Sequence, residues 1–132
     1  MCSSFAKQIS LITSLKTSPI ISVGNLSIVR DFLDVRDVVS AYHSLMMSYD
    51  DGTYNVCSGK GYSLQHVLTT LLSFSSVPIT IHKDSSLLRP VDIPSLIGDN
   101  SQILQKGDWR PSYSFDITLR DMFTYWCHHL PP

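Results

Sequence analysis

The sequence predicts an α/β fold, and three observations carry that prediction. Apolar residues recur at 3.6-residue spacing over 35–49 and again over 63–72, the mark of amphipathic helices. Short β-branched and aromatic runs at 20–23, 53–57 and 78–82 lie between those stretches. The run at 53–57 does not alternate, so it reads as a strand buried on both faces of a parallel sheet, although few strands are present to flank it. Helices alternating with strands over 132 residues make one domain, 1–132, that looks like part of something larger.

Each element follows from local chemistry. Ser3 and Ser4 are good caps for a helix over 3–17 that places Phe5, Ile9 and Ile12 on one face. Pro19 ends it, Ile20 to Val23 form a strand, and Gly24-Asn25 suits a positive-φ turn into a second extended run over 28–35. Asp34 caps the helix over 35–49, Asp37 favours its positive end, and Val35, Val38, Val39, Tyr42, Leu45, Met46 and Tyr49 form its buried stripe. After the strand at 53–57, residues 58–61 form a loop; Ser63 then caps a helix that buries Leu64, Val67, Leu68, Leu71 and Leu72. Residues 84–94 show no period, and Pro90 and Pro94 keep them extended. A short helix follows over 100–106. Asp116 caps a last helix carrying Ile117, Leu119, Met122, Phe123 and Trp126, and the tail from His128 frays.

Composition excludes several function classes. The formal charge of −1 gives no general field for nucleic acid or anionic lipid. All 11 acidic residues are Asp, so an acid or base here is Asp, His, Tyr, Cys or a shifted Lys. Cys2, Cys57 and Cys127 are an odd number in no metal-like spacing, and His43, His66 and His82 fall on separate elements, so no metal site is expected. Free thiols, no leader-like N-terminus and no apolar run near the ~20 residues of a membrane span predict a soluble cytoplasmic protein. Gly59-Lys60-Gly61 is an incomplete dinucleotide fingerprint and reads as a plain turn, and no nucleophile elbow occurs. Tyr42 and Cys57 read as core residues.

The arginines say more. Arg30 ends an extended run, and Arg89 sits in a proline-fixed loop near Asp92; a guanidinium on a rigid segment can fork onto phosphate oxygens while Asp92 accepts from a sugar hydroxyl. The competing reading pairs Arg30 with Asp31 or Asp34 on the surface, which is worth under ~1 kcal/mol.

Six ordered strings carry a family resemblance: Ser-Ser-Phe-Ala-Lys-Gln-Ile (3–9), Val-Gly-Asn-Leu (23–26), Arg-Asp-Phe-Leu-Asp-Val-Arg-Asp-Val-Val (30–39), Tyr-Asn-Val-Cys-Ser-Gly (54–59), Leu-Arg-Pro-Val-Asp-Ile-Pro (88–94) and Gly-Asp-Asn-Ser (98–101). The chain resembles the C-terminal, substrate-binding part of extended short-chain dehydrogenase/reductases acting on nucleotide sugars, especially the GDP-6-deoxy-D-mannose reductases and next the GDP-mannose 4,6-dehydratases. That resemblance implies a preceding Rossmann domain that holds NAD(P), absent from this chain together with the Tyr-x-x-x-Lys catalytic group. It implies no catalytic residue and no cofactor bound by this chain alone, a GDP-sugar substrate, and a dimeric parent enzyme. It also implies that Arg30 and Arg89 approach the substrate diphosphate, with Asp92 at a ribose hydroxyl and Asn25 and Lys7 as lesser contacts. The 30–49 and 53–57 segments would run back onto the missing Rossmann sheet, leaving Val39, Met46 and Val56 uncovered. Near its end the chain departs from the family, with Gln102 and Gly107-Asp108-Trp109 where a Lys and a Thr-Gly-Trp are expected. Two functions follow as expectations: the GDP-sugar-binding half of an NAD(P)-dependent reductase, epimerase or dehydratase, or a non-catalytic module that packs against a partner chain.

Overall fold

The computed structural model describes residues 1–48, 51–88, 92–106 and 108–129. In chain order the elements are α1 (Cys2–Thr13), β1 (Ile20–Val23), β2 (Val29–Asp31), α2 (Val35–Ser48), β3 (Gly61–Ser63), α3 (Leu64–Leu72), β4 (Thr80–Lys83), a single 3-10 turn (Ser85–Leu87), β5 (Ser95–Leu96), α4 (Ser101–Lys106) and α5 (Phe115–His128).

Helix α1 starts earlier than its serines suggest, at Cys2, with Met1 as an N-cap that makes no side-chain cap bond, and it stops at Thr13 rather than running to 17. Leu15 takes a left-handed φ of 57°. Its amide donates to Ile12 O at 2.9 Å while the Lys16 amide donates to Leu11 O at 3.1 Å, closing a Schellman cap. A leucine there is strained and gains little packing, since it is 80% exposed. Leu15→Gly is expected to raise unfolding free energy by about 1 kcal/mol, read as a later urea midpoint with unchanged slope.

The two extended runs on either side of Gly24-Asn25 belong to two separate small sheets. β1 pairs in parallel with β4, Ile21 opposite Ile81. β2 is central in the order β3-β2-β5, antiparallel to β3 and parallel to β5. β1 and β2 therefore never pair, because β1 instead lays Ile21 and Val23 into the core. Gly24 has no positive φ; a Cβ there would sit 2.7 Å from Leu87 O, so close approach of the chain demands the glycine. The main core lies where α1, α3 and α5 meet β1, filled by Ile9, Ile21, Val67, Leu68, Leu71 and Leu119. Ser63 caps α3, accepting from the His66 amide at 3.1 Å. At α5 the cap is Ser114, accepting from Ile117 N at 3.3 Å, and Asp116 lies in the first turn instead. The helix stays intact through His128.

The second core is smaller, with Ala41, Ile103 and Trp109 at its centre. Residues 53–57 border it as irregular chain and not as a strand, because no neighbouring strand among the described residues supplies ladder bonds. Helix α2 turns Asp37 and Ala41 inward, leaving Val35, Val39, Tyr42 and Met46 at 57–72% exposure. Tyr42 is thus a surface residue and not core. Val56 is half-buried. Tyr49 and the Pro90 and Gly107 positions lie outside the described residues.

Candidate functional site

Strand β2 sends Arg30 and Asp31 to opposite faces, and each then organises a different part of the surface. The Asp31 carboxylate takes four donors: Ser58 N (2.9 Å), Ser58 Oγ (2.6 Å), Gly59 N (2.9 Å) and Gly98 N (3.3 Å). Gly59 can follow that path because its φ is +73°. Asp31 therefore pins the 58–61 loop to β2 and is not available to Arg30.

Arg30 is braced from the other side. Its Nη1 donates to Val29 O at 2.7 Å and Ile93 O at 2.8 Å, and Nη2 donates to Asp92 Oδ1 at 3.1 Å. Pairing with Asp31 or Asp34 does not occur. Both side chains of the Arg30–Asp92 pair are about one-fifth exposed, at 21% and 19%. The bonds use three of the five guanidinium N–H groups, and Nε–H and one Nη2–H make no bond with the described residues.

Asp92 lines a cleft of about 450 Å³ between α1, the end of β1 and the 84–87 turn. Asn25 lines the same cleft, its Oδ1 accepting from Ser27 N at 3.0 Å and Ser27 Oγ at 2.8 Å, so its amide donors stay available. The structure thus brings Asn25 and Asp92 together, with Arg30 reaching them through Asp92. It does not bring Lys7, whose ammonium sits 5.0 Å above the Trp126 ring on α5. Arg89 lies outside the described residues. Sequence reasoning missed Ser4, Gln8 and Asp84, which line the cleft. The spacing of Ser4, Phe5 and Gln8 held part of the signal, since residues three and four apart share a helix face, but Lys7 lies three from Ser4 and meets the same rule, so spacing alone does not choose between them.

A larger cleft of about 690 Å³ lies over the stacked rings of Phe32 and Phe115, whose centroids are 5.0 Å apart. Among the described residues, none of those expected at the site lines it, and its buried acid is internally paired. Asp34 accepts from Arg36 Nε at 2.8 Å, Arg36 Nη2 at 2.7 Å and Thr118 Oγ1 at 2.6 Å. Its Oδ1 also takes the Arg36 amide at 2.9 Å, the cap expected for α2. The Arg36 fork comes first among the causes that hold the Asp34 carboxyl well below its ordinary value. A depressed carboxylate stabilises the fold above its unfolded value near ~4 and loses that contribution as pH falls below it. Asp34→Asn is therefore expected to destabilise the protein at pH 7 and less so at pH 3, measured by urea unfolding at both.

Cys57 is half-buried, and burial followed by the nearby Asp31 charge raises its thiol pKa, which suits a packing role. Among the described residues no cluster of three His, Cys, Asp or Glu fits a metal ion, and no helix is long and apolar enough to cross a membrane.

Comparison with known proteins places this geometry. A family profile described as GDP-mannose 4,6 dehydratase matches residues 3–122. The chain is 30% identical over 107 residues to GDP-6-deoxy-D-mannose reductase of Pseudomonas aeruginosa, covering 80% of this chain and 35% of that protein. It is 34% identical over 91 residues to GDP-6-deoxy-D-talose 4-dehydrogenase of Aggregatibacter actinomycetemcomitans, covering 68% and 31%. It superposes on the structure of RMD from Pseudomonas aeruginosa complexed with NADPH with a TM-score of 0.89 at 28% identity, covering 98% of this chain and 43% of that one. The chain spans about a third of the length of these curated relatives. With the profile covering most of its length and an α/β fold matching those structures, the chain belongs to the GDP-mannose 4,6 dehydratase family.

Proposed function

We propose that this chain is the nucleotide-sugar-binding part of an NAD(P)-dependent enzyme of the GDP-4-dehydro-6-deoxy-mannose reductase kind. The single observation that carries the reading is the braced Arg30, which is bonded through Asp92 to a cleft that Asn25 and Asp92 both line. Relatives whose names carry a GDP-sugar support the substrate class. In this reading Arg30 and Arg89 hold the diphosphate, Asp92 keeps Oδ2 for a ribose hydroxyl, and Asn25 donates from the cleft wall.

The loop at 58–61 does not fit the pyrophosphate of a nicotinamide cofactor such as the NADPH bound by the Pseudomonas aeruginosa relative. The glycine-bearing loop at 58–61 has its Ser58 and Gly59 amides committed to Asp31, so they cannot cradle a pyrophosphate. Hydride transfer is accordingly assigned to no residue of this chain. The uncovered stripe Val35, Val39, Tyr42 and Met46 supports a cofactor-binding partner packed against α2, on another stretch of polypeptide. That same stripe is the observation favouring the second reading, a module that only packs against another chain.

Calorimetric titration of the chain with GDP-mannose, and in parallel with mannose, separates the two. Heat of binding for GDP-mannose and none for mannose is the expected result. No binding by either leaves the packing module.

A further inference from the structure

We propose that Asp84 selects the nucleobase, its carboxylate accepting the N1–H and 2-amino group of a guanine seated in the cleft between α1 and the end of β1; this rests on the nucleotide-sugar reading of that cleft. At about 450 Å³ the cleft accommodates a nucleoside, and Phe5, Leu26, Ile28 and Leu64 give it apolar walls for a flat ring.

The polar groups facing that space are unequal. Asp92 has Oδ1 committed to Arg30, and Asn25 has Oδ1 committed to Ser27. Gln8 spends its amide nitrogen on Ser4 O and Oγ at 3.4 and 3.3 Å. Asp84 accepts Ser86 N at 2.8 Å and Ser86 Oγ at 2.6 Å, both on Oδ1, and its Oδ2 accepts no bond from the described residues. Its backbone amide donates to Val23 O at 2.9 Å, which fixes the carboxylate at the end of β1. The two Ser86 donors lower the Asp84 pKa, so the group stays ionised at neutral pH.

An ionised carboxylate can only accept. Guanine presents two adjacent donors, N1–H and N2–H₂, which can converge on the two lone pairs of the open Oδ2. Hypoxanthine presents N1–H alone. Adenine turns an acceptor, N1, toward the same place, and a site whose polar group is left unpaired rejects such an analogue strongly. The predicted order is guanine, hypoxanthine, adenine.

The test measures GDP, IDP, ADP and inorganic pyrophosphate by calorimetry on the wild-type chain and on Asp84→Asn, which retains an Oδ1 acceptor for Ser86. The wild type is expected to bind GDP at least about tenfold more tightly than ADP, with IDP between them. Asp84→Asn should bring GDP and ADP within about threefold while leaving pyrophosphate unchanged. Equal GDP and ADP affinities in the wild type, or an unchanged ratio in Asp84→Asn, overturn the role of Asp84 and leave the nucleotide reading standing. Absence of binding by every diphosphate overturns both. If the variant does not fold, the wild-type order of GDP, IDP and ADP decides.

Discussion

Replacing Asp37 with leucine is expected to lower the free energy of unfolding by about 3 kcal/mol, the largest single effect on stability outside the apolar core. The carboxylate is 1% exposed and lies on the inner face of α2. It accepts Ser112 N at 3.0 Å and Ser112 Oγ at 2.9 Å on one oxygen, and Tyr113 N at 3.1 Å on the other. Leucine removes every acceptor at once. Ser112 and Tyr113 are exposed enough for water to recover part of the loss, which keeps the figure below the sum of three orphaned donors. Asparagine retains one acceptor oxygen, so Asp37→Asn is expected to cost less than half as much. The neighbouring Trp109 indole donates to Asp37 O at 3.0 Å and to Ser40 Oγ at 2.9 Å, so its fluorescence reports whether the 108–113 segment has let go of α2. Urea unfolding of both variants supplies the magnitudes. A leucine variant as stable as the wild type would show that these bonds follow the packing of Trp109 instead of fixing it.

Arg30→Ala is expected to weaken GDP binding by about 2 kcal/mol, roughly thirtyfold, through the loss of charge-assisted contacts to the diphosphate. The truncation also strips Asp92 of its cation and frees the carbonyls of Val29 and Ile93. Lysine does not restore the site, because one ammonium cannot span two carbonyls, a carboxylate and an anion in the geometry of a planar fork. Arg30→Lys should therefore bind almost as poorly as Arg30→Ala, with circular dichroism of both matching the wild type. Calorimetry with GDP checks the affinities, and an unchanged value for Arg30→Ala would remove the residue from the site.

Much of this was legible in the residues, and the exceptions have physical reasons. Helix α3 announced itself through Ser63 and its run of inward leucines, and α2 through Asp34 and its period. What periodicity could not say was which way α2 faces. The apolar stripe is real, yet the fold turns Asp37 and Ala41 inward, where the Asp37 carboxylate accepts the backbone amides of Ser112 and Tyr113. The 53–57 run has strand composition but no ladder partner among the described residues, and β-propensity expresses packing against neighbours more than a backbone preference. β3 and β5, at three and two residues, are too short to show alternation. Of the residues the motifs single out, Asn25 and Asp92 come together at one cleft with Arg30 bonded to Asp92, whereas which of Gln8 and Lys7 lines that cleft depends on how α1 is rolled against α5. Asp84 was hidden because a turn-capping aspartate looks the same in sequence whether or not its second oxygen faces a cleft.

In the proposed reading a nucleoside diphosphate sits beside Arg30, in the cleft bounded by α1 and β1. Amide chemical-shift mapping of the ¹⁵N-labelled chain during a GDP titration tests it most directly. Saturable shifts concentrated at Gly24, Asn25, Arg30, Asp84 and Asp92 are the expected result. Shifts gathered instead around Tyr62, His66 and Tyr113, which border the larger cleft, would contradict it.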